Sequence, residues 1–350
     1  MGKRRKRNAG GRKPGESGIP SPCLSDSRER LADWLELCAL KDSDRNASFS
    51  DLVRDLDVSG SFDASPSLED TLEDEDVAGA EIAIEEPVQH ENKNKCEAAA
   101  EGAFLEVSER FVACGDNGAY PFEVGDNYLE VRDETAQSVY VFLLLLSTFG
   151  HDAGPARGDG AKLFEEVSAQ AAETYLGGNR LACSKVFGFP RRLQPKDFGP
   201  ALDDLCRAMG EGVGHRERPT SKDQKDAKLD VVAWRGFPDG RRGKLIAFGQ
   251  CATGANWPDK LTELQPQDWC RFWMQETPAT LPIRLFFVPH RIEEQTWFHT
   301  CVHGGVLFER CRIAHLAQSS PADLVTRLTA WSRFVLDRAL RVQAQLADLQ

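Results

Sequence analysis

The sequence predicts an α/β fold, a central sheet flanked by helices, and three features carry that expectation. Residues 228–234 and 244–251 are short apolar runs rich in β-branched side chains, separated by a turn at 237–243 rich in Gly, Pro, Asp and Arg. They read as a hairpin of buried strands. Ahead of them, 162–176 carries Leu163, Phe164, Val167, Ala171, Thr174 and Tyr175 on one stripe and stops at Gly177-Gly178, the pattern of an amphipathic helix. After them, helical material over 259–273 leads to a third apolar run at 283–289, so helices and strands interleave along the chain.

The elements follow in order from the N-terminus. Residues 1–30 hold nine basic and three acidic side chains among Gly, Pro and Ser, without periodicity, and are expected to be a disordered basic tail. Within 31–58, Leu31, Trp34, Leu35 and Cys38, then Phe49, Leu52, Val53 and Leu56, recur at helical spacing and predict two short helices. Residues 59–101 lose that periodicity and are expected to be an acidic disordered linker, since 51–101 holds sixteen acidic residues against Arg54, Lys93 and Lys95. An accessory strand and helix region packed on the core is expected over 102–150. Phe104, Val107, Phe111 and Val112, the turns at 115–118 and 125–127, and Tyr120-Pro121-Phe122 are its strand and hairpin signals, and 138–149 reads as a buried helix. The main domain is expected over 151–320. Besides the elements above it includes a helix at 198–209 carrying Leu202, Leu205 and Met209, and a fourth strand from the alternation at 297–302. A C-terminal amphipathic helix fills 321–350, with Leu324, Leu328, Trp331, Val335, Leu336 and Leu340 on its apolar side.

Composition limits the function classes. The chain has 350 residues, 41% hydrophobic and 28% charged, enough apolar material for a real core. Its net charge of -12 is uneven: the tail and the acidic segment hold most of the imbalance, and 102–350 is close to neutral with 29 basic and 32 acidic residues. Overall acidity is therefore no argument against a polyanionic substrate. The longest apolar run, 139–146, is far below the roughly 20 residues that cross a bilayer, and no apolar segment follows Lys3-Arg4-Arg5-Lys6-Arg7. Ten cysteines without a CxxC pair suit reduced thiols. A cytoplasmic protein without a membrane anchor is expected. The sequence has no GxxxxGK[ST], GxSxG or HExxH motif, which weighs against a nucleotide-binding loop, a hydrolase elbow and a zincin.

Two polar residues interrupt the apolar strands: Asp230 near the start of one and Gln250 near the end of the next. Buried without a partner, each would cost about 1–3 kcal/mol or more, so each must be hydrogen-bonded or hold a metal. The preceding helix offers Glu165 and Glu166. A Glu on a helix, an Asp on a strand and a Gln closing the next strand resembles the PD-(D/E)xK nuclease superfamily in its restriction-endonuclease-like branch, over about residues 155–290. The resemblance implies a mixed central sheet flanked by helices and a metal-dependent nuclease hydrolysing DNA, plausible in bacterial restriction or antiphage defence. It also implies Mg²⁺, or Mn²⁺, held by Glu166 (or Glu165), Asp230 and Gln250. Hard oxygen ligands suit that ion, which polarises phosphate and generates hydroxide near neutral pH.

The sequence departs from the family pattern two residues beyond Gln250, where the usual lysine is Ala252. Lys260, on the following helical segment, is the candidate replacement. Without a lysine at the site, the alternative is a catalytically inactive nuclease fold serving as a protein- or nucleic-acid-binding module. A protein partner would then use the acidic linker or the terminal helices. Arg191, Arg192, Arg216, Arg218, Arg241 and Arg242 lie in loops and are candidate phosphate contacts against the plainer reading of solvated side chains. His299, Cys301 and His303, with Cys311 and His315 downstream, match no zinc spacing and read as core packing. Cys251 lacks an identifiable paired histidine, which a thiol nucleophile would need.

Overall fold

The computed structural model describes residues 18–63, 86–115, 118–132, 138–178, 180–188, 197–217 and 227–347. The tail at 1–17, the middle of the acidic segment at 64–85, and Arg191, Arg192 and Arg218 lie outside them. Two compact units divide the chain, one from residues 18–112 and 121–133, the other from 113–120 and the chain from 134 onward.

The first unit contains α1 (Arg28–Lys41), β1 (Asn46–Ser48), α2 (Phe49–Asp63), α3 (Glu86–Ala113), β2 (Phe122–Val124) and β3 (Tyr128–Val131). Its sheet is antiparallel in the order β1-β3-β2, with Ala47 opposite Leu129 and Phe122 opposite Val131. Helix α3 corrects two expectations. It runs through 86–101, read from the sequence as linker, and through Phe104, Val107, Phe111 and Val112, read as strand signals. The reason is a narrow stripe: Cys96, Ala100, Ala103 and Val107 are fully buried at spacings of three and four, while Leu105, Phe111 and Val112 lie off it and are exposed. Small side chains on that stripe hide the helical period among charges. Lys95 pairs with Glu91 at 2.8 Å one turn away, which supports the same helix. Arg110 is wholly buried and pairs with Asp33 (2.7 Å), Glu36 (3.0 Å) and Glu106 (2.8 Å), locking α1 to α3.

The second unit opens with α4 (Ser138–Phe149) and α5 (Asp159–Tyr175), then β4 (Ala182–Val186), α6 (Phe198–Met209), β5 (Val213–His215), β6 (Val231–Arg235) and β7 (Leu245–Cys251). A 3-10 turn at Trp257–Lys260 leads to α7 (Pro266–Trp273), β8 (Met274–Glu276), β9 (Ile283–Phe287), α8 (Glu294–Gly304), β10 (Val306–Phe308), α9 (Arg310–Leu316) and α10 (Ala322–Ala347). The main sheet has the order β10-β9-β7-β6-β4. Strands β4, β6 and β7 form an antiparallel meander, and β9 and β10 run parallel to β7, so the sheet is mixed.

Helix α5 packs on the meander from one side. On the other side α6 and α7 close a core of Phe198, Leu202, Leu205, Val232, Phe248 and Trp269. The α6 apolar positions recur every three or four residues and the helix stops at Gly210, whose φ of 62° suits glycine. Burying a side chain such as Phe248, which meets Trp269 edge-on at 5.4 Å, stabilises the fold by about 1.5–3 kcal/mol. Just beyond α6, the buried carboxylate of Glu211 accepts hydrogen bonds from the backbone N–H groups of Gly243, Lys244 and Ala279.

Residues 297–302, expected as a strand, are helix α8. The apolar side chains there follow no single face: Trp297 and Cys301 pack against a buried cluster, while Phe298 is 80% and Val302 59% exposed. The apparent alternation mixed both sides of a helix. The helix expected over 259–273 is divided at 261–265 into the 3-10 turn and α7.

Candidate functional site

Strand register brings the candidate residues together. Val231 pairs with Gly249 across β6 and β7, so Asp230 stands opposite Gln250, and Gln250 stands opposite Phe286 of β9. Asp230 is fixed at the entrance to β6 by its own backbone: its N–H donates to Gly249 O at 2.9 Å, and its carbonyl accepts from Phe187 N (2.6 Å) and Gly188 N (3.0 Å). One carboxylate oxygen, Oδ2, accepts from Cys251 N at 2.7 Å.

Gln250 is 4% exposed. Its Nε2 donates to Glu263 Oε2 at 2.8 Å, and its Oε1 is buried with no hydrogen-bond donor among the described residues. The acceptor on one side settles which end of the amide points where, because the reverse orientation would oppose two acceptors. An unmet buried carbonyl of this kind costs about 1–3 kcal/mol. Lys228 Nζ lies 3.3 Å from the same oxygen, Glu263 Oε2. Lys228 and Ala227 both have left-handed backbones, φ 70° and 54°, two consecutive non-glycine residues in a costly region just before Asp230. Trp269 Nε1 holds that bend by donating to Ala227 O at 3.1 Å.

The two glutamates on α5 part company, as adjacent residues on a helix must. Glu166 turns to α10, where Arg327 grips both of its oxygens at 3.0 and 2.5 Å. Glu165 lies against Gly188: a Cβ added to that glycine would meet Glu165 Oε2 at 2.3 Å. Gly188 is also the residue whose N–H donates to Asp230 O, so Glu165, not Glu166, faces the strand end that carries Asp230. Both Asp230 and Glu165 act on the Cys251 thiol. Burial first, then these two carboxylates, push it well above its ordinary range. A thiol held protonated in this way is a poor nucleophile.

Lys260 ends the 3-10 turn after β7 and its carbonyl accepts from Glu263 N at 3.1 Å, but its ammonium makes no ion pair among the described residues. Ala252, at the place of the family lysine, is buried. Of the loop arginines, Arg242 pairs with Glu276 and Arg216 donates to Gln275 O at 3.1 Å. Arg241 extends into solvent.

The His and Cys set does not converge. His299 and His303 stack one turn apart on α8 with ring centroids 4.4 Å apart, while Cys311 and His315 turn to Cys114 and its carbonyl. Among the described residues no three His, Cys, Asp or Glu side chains gather as a metal-binding group. Alternation along β7 turns Cys251 to the α5 face, where Asp230 and Glu165 act on it, and Gln250 to the opposite face with Phe248, where it bonds Glu263.

Sequence reasoning passed over Lys228 and Glu263. The signal was the lysine two residues ahead of Asp230 and a Glu at the turn beyond β7, ordinary surface residues until the fold folds them onto Gln250. No helix among the described residues is long and apolar enough to cross a membrane. No protein-family model, curated protein or solved structure matches this chain.

Proposed function

We propose that the chain is a metal-dependent nuclease of restriction-endonuclease-like fold that hydrolyses DNA phosphodiester bonds, with restriction or antiphage defence as its setting. The observation that carries the reading is the pair of carboxylates, Asp230 at the entrance to β6 and Glu165 on α5, that both act on Cys251 at the end of β7. The sheet supports it: a helix with a Glu at the sheet edge, an antiparallel meander of three strands, a helix, and a strand parallel to the third.

The donor set fits a hard divalent cation. Asp230 and Glu165, which both act on Cys251, would hold Mg²⁺ or Mn²⁺ through oxygen, the ligand type these ions select, while Gln250 lies on the opposite sheet face against Glu263. Bound there, the ion would polarise a phosphate oxygen and lower the pKa of water. The chain's own contribution is orientation. The Cys251 N–H fixes one oxygen of Asp230, and Gly188 leaves room for Glu165. Lys260, beyond β7, is assigned the part of the missing lysine, and Arg241 the part of a phosphate contact.

A second reading is favoured by Ala252: a fold that has lost its lysine and serves as a protein- or nucleic-acid-binding module. Incubation of plasmid and single-stranded DNA with the purified protein and Mg²⁺ or Mn²⁺ separates the two. Cutting that disappears in Asp230→Ala supports the nuclease, and its further loss in Lys260→Ala supports that lysine's role. A folded wild type that cuts neither substrate supports the module.

A further inference from the structure

We infer that His299 and His303, on the exposed side of α8, form a two-point site for a divalent transition ion of the class of Zn²⁺, Cu²⁺ or Ni²⁺. The site uses none of the residues of the Asp230 edge and does not depend on the nuclease reading. Residues four apart on a helix stand one above the other, and α8 runs unbroken over Glu294–Gly304, so the two histidines share one face. The histidines of H-E-x-x-H zinc sites have this spacing. The two rings lie 4.4 Å apart at their centroids and are tilted by 56°. An ion held at about 2.0–2.1 Å from a nitrogen of each ring sets the centroids roughly 4.5–5 Å apart, so only a small adjustment of either side chain is needed.

The surroundings leave both rings available. Core packing was the expectation from the sequence, yet His299 is exposed and His303 half-buried. His315 bonds the Cys114 carbonyl and His151 the Thr253 hydroxyl, whereas neither ring of the α8 pair makes a hydrogen bond or ion pair among the described residues. Helix α8 carries no Lys or Arg that would repel a cation. Phe298 and Val302, one position ahead of each histidine, are exposed and apolar, and the Thr300 hydroxyl donates to Thr296 O at 2.9 Å. Nothing on the helix therefore competes for the ring nitrogens. Cys301 packs inward against a buried cluster and is no third ligand. Imidazole nitrogen suits zinc, copper and nickel, whereas Mg²⁺ selects oxygen, so the pair discriminates against the ion proposed for the Asp230 edge. Thr300 stands where the zincin pattern has its glutamate, so the pair holds an ion without the carboxylate that activates water. Water, or donors from another molecule, fills the remaining positions.

Zn²⁺ alone, titrated by calorimetry into the tag-free full-length protein under an excess of Mg²⁺, tests the pair. His299→Ala and His303→Ala are each expected to weaken one Zn²⁺ site at least about ten-fold. The double variant is expected to bind within about three-fold of either single one, because an ion gripped by two rings is released when one is removed. Thiols that take up Zn²⁺ elsewhere are the same in all these proteins and cancel in the comparison. Wild-type affinity in the double variant overturns the inference, as does a wild type that binds no Zn²⁺. Loss in only one of the single variants overturns it too, since the other ring would then not be a ligand. None of these results alters the reading of the Asp230 edge. Should a variant fail to fold, the imidazole nitrogen resonances of His299 and His303 in the wild type decide: both are expected to shift on adding Zn²⁺, and unmoved resonances under saturating Zn²⁺ overturn the inference.

Discussion

Arg327 of α10 holds both carboxylate oxygens of Glu166 on α5, at 3.0 and 2.5 Å, so this glutamate ties two helices together and is turned from the strand edge that its neighbour faces. The pairing raises the guanidinium pKa of Arg327, chiefly through the Glu166 bond. Both side chains remain partly solvated, which keeps the contribution to stability at about 1 kcal/mol. Glu166→Gln is therefore expected to lower the thermal midpoint slightly and leave Mn²⁺ affinity unchanged. A marked loss of binding in that variant would return Glu166 to the site.

Gly188→Ala tests Glu165 without touching it. The new methyl would collide with Glu165 Oε2, the movable end of a flexible side chain, while the backbone at 188 lies outside the left-handed region. The fold is expected to persist, with an unfolding free energy within about 1 kcal/mol of wild type. Mn²⁺ binding should weaken as the carboxylate is displaced. Calorimetric titration of the folded variant checks both statements.

Alkaline pH is expected to destabilise the protein through its buried thiols. Burial pushes Cys38, Cys206 and Cys270 up to about 12 from an ordinary 9.0. The folded state thus keeps these protons when the unfolded chain gives them up. Stability from the thiols is complete below pH 9 and declines as pH rises from 9 towards 12, by up to about 1.4 kcal/mol per pH unit for each. Urea unfolding under reducing conditions at stepped pH should show the decline, and a Cys206→Ala, Cys270→Ala double variant a shallower one. An identical slope in the double variant would contradict the assignment.

Arg110→Met removes the cation that Asp33, Glu36 and Glu106 share in the first unit, leaving Arg28 at 3.5 Å from Glu106. Removing one partner of a buried ionic cluster costs about 3–5 kcal/mol. Loss of the first unit's amide protection, or its early proteolysis, should follow. Unchanged resistance to protease would show that the acids relax into water.

The sequence was most informative where burial is one-sided and regular. Helix α6 begins and ends at the residues its pattern predicts, because Leu202, Leu205 and Met209 face one core and Gly210 stops the turn. The β6–β7 hairpin was equally legible, since both strands are apolar nearly throughout. Strand β4 was not, because it lies at the sheet edge and its polar Ser184 and Lys185 bond Glu173 and Asp204, which leaves no apolar run to mark a strand. In α8, exposed Phe298 and Val302 counterfeit an alternating strand. Asp230 and Gln250 stood out as polar interruptions of apolar runs. The choice between Glu165 and Glu166 did not, because a shift of one residue rotates a side chain by about 100° around a helix, and only the packing of α10 fixes which face is which. Lys228 and Glu263 are 35 residues apart and have no local signature at all.

Glu211 gives the second unit a shared anchor. A single buried carboxylate receives the amides of Gly243 and Lys244, from the β6–β7 turn, and of Ala279, from the approach to β9. Two loops far apart in the chain thereby lose independence. Opening either one strands the same acceptor, so they behave as one cooperative opening unit, and a fluctuation in the hairpin tip is felt at the start of the strand that runs beside Gln250.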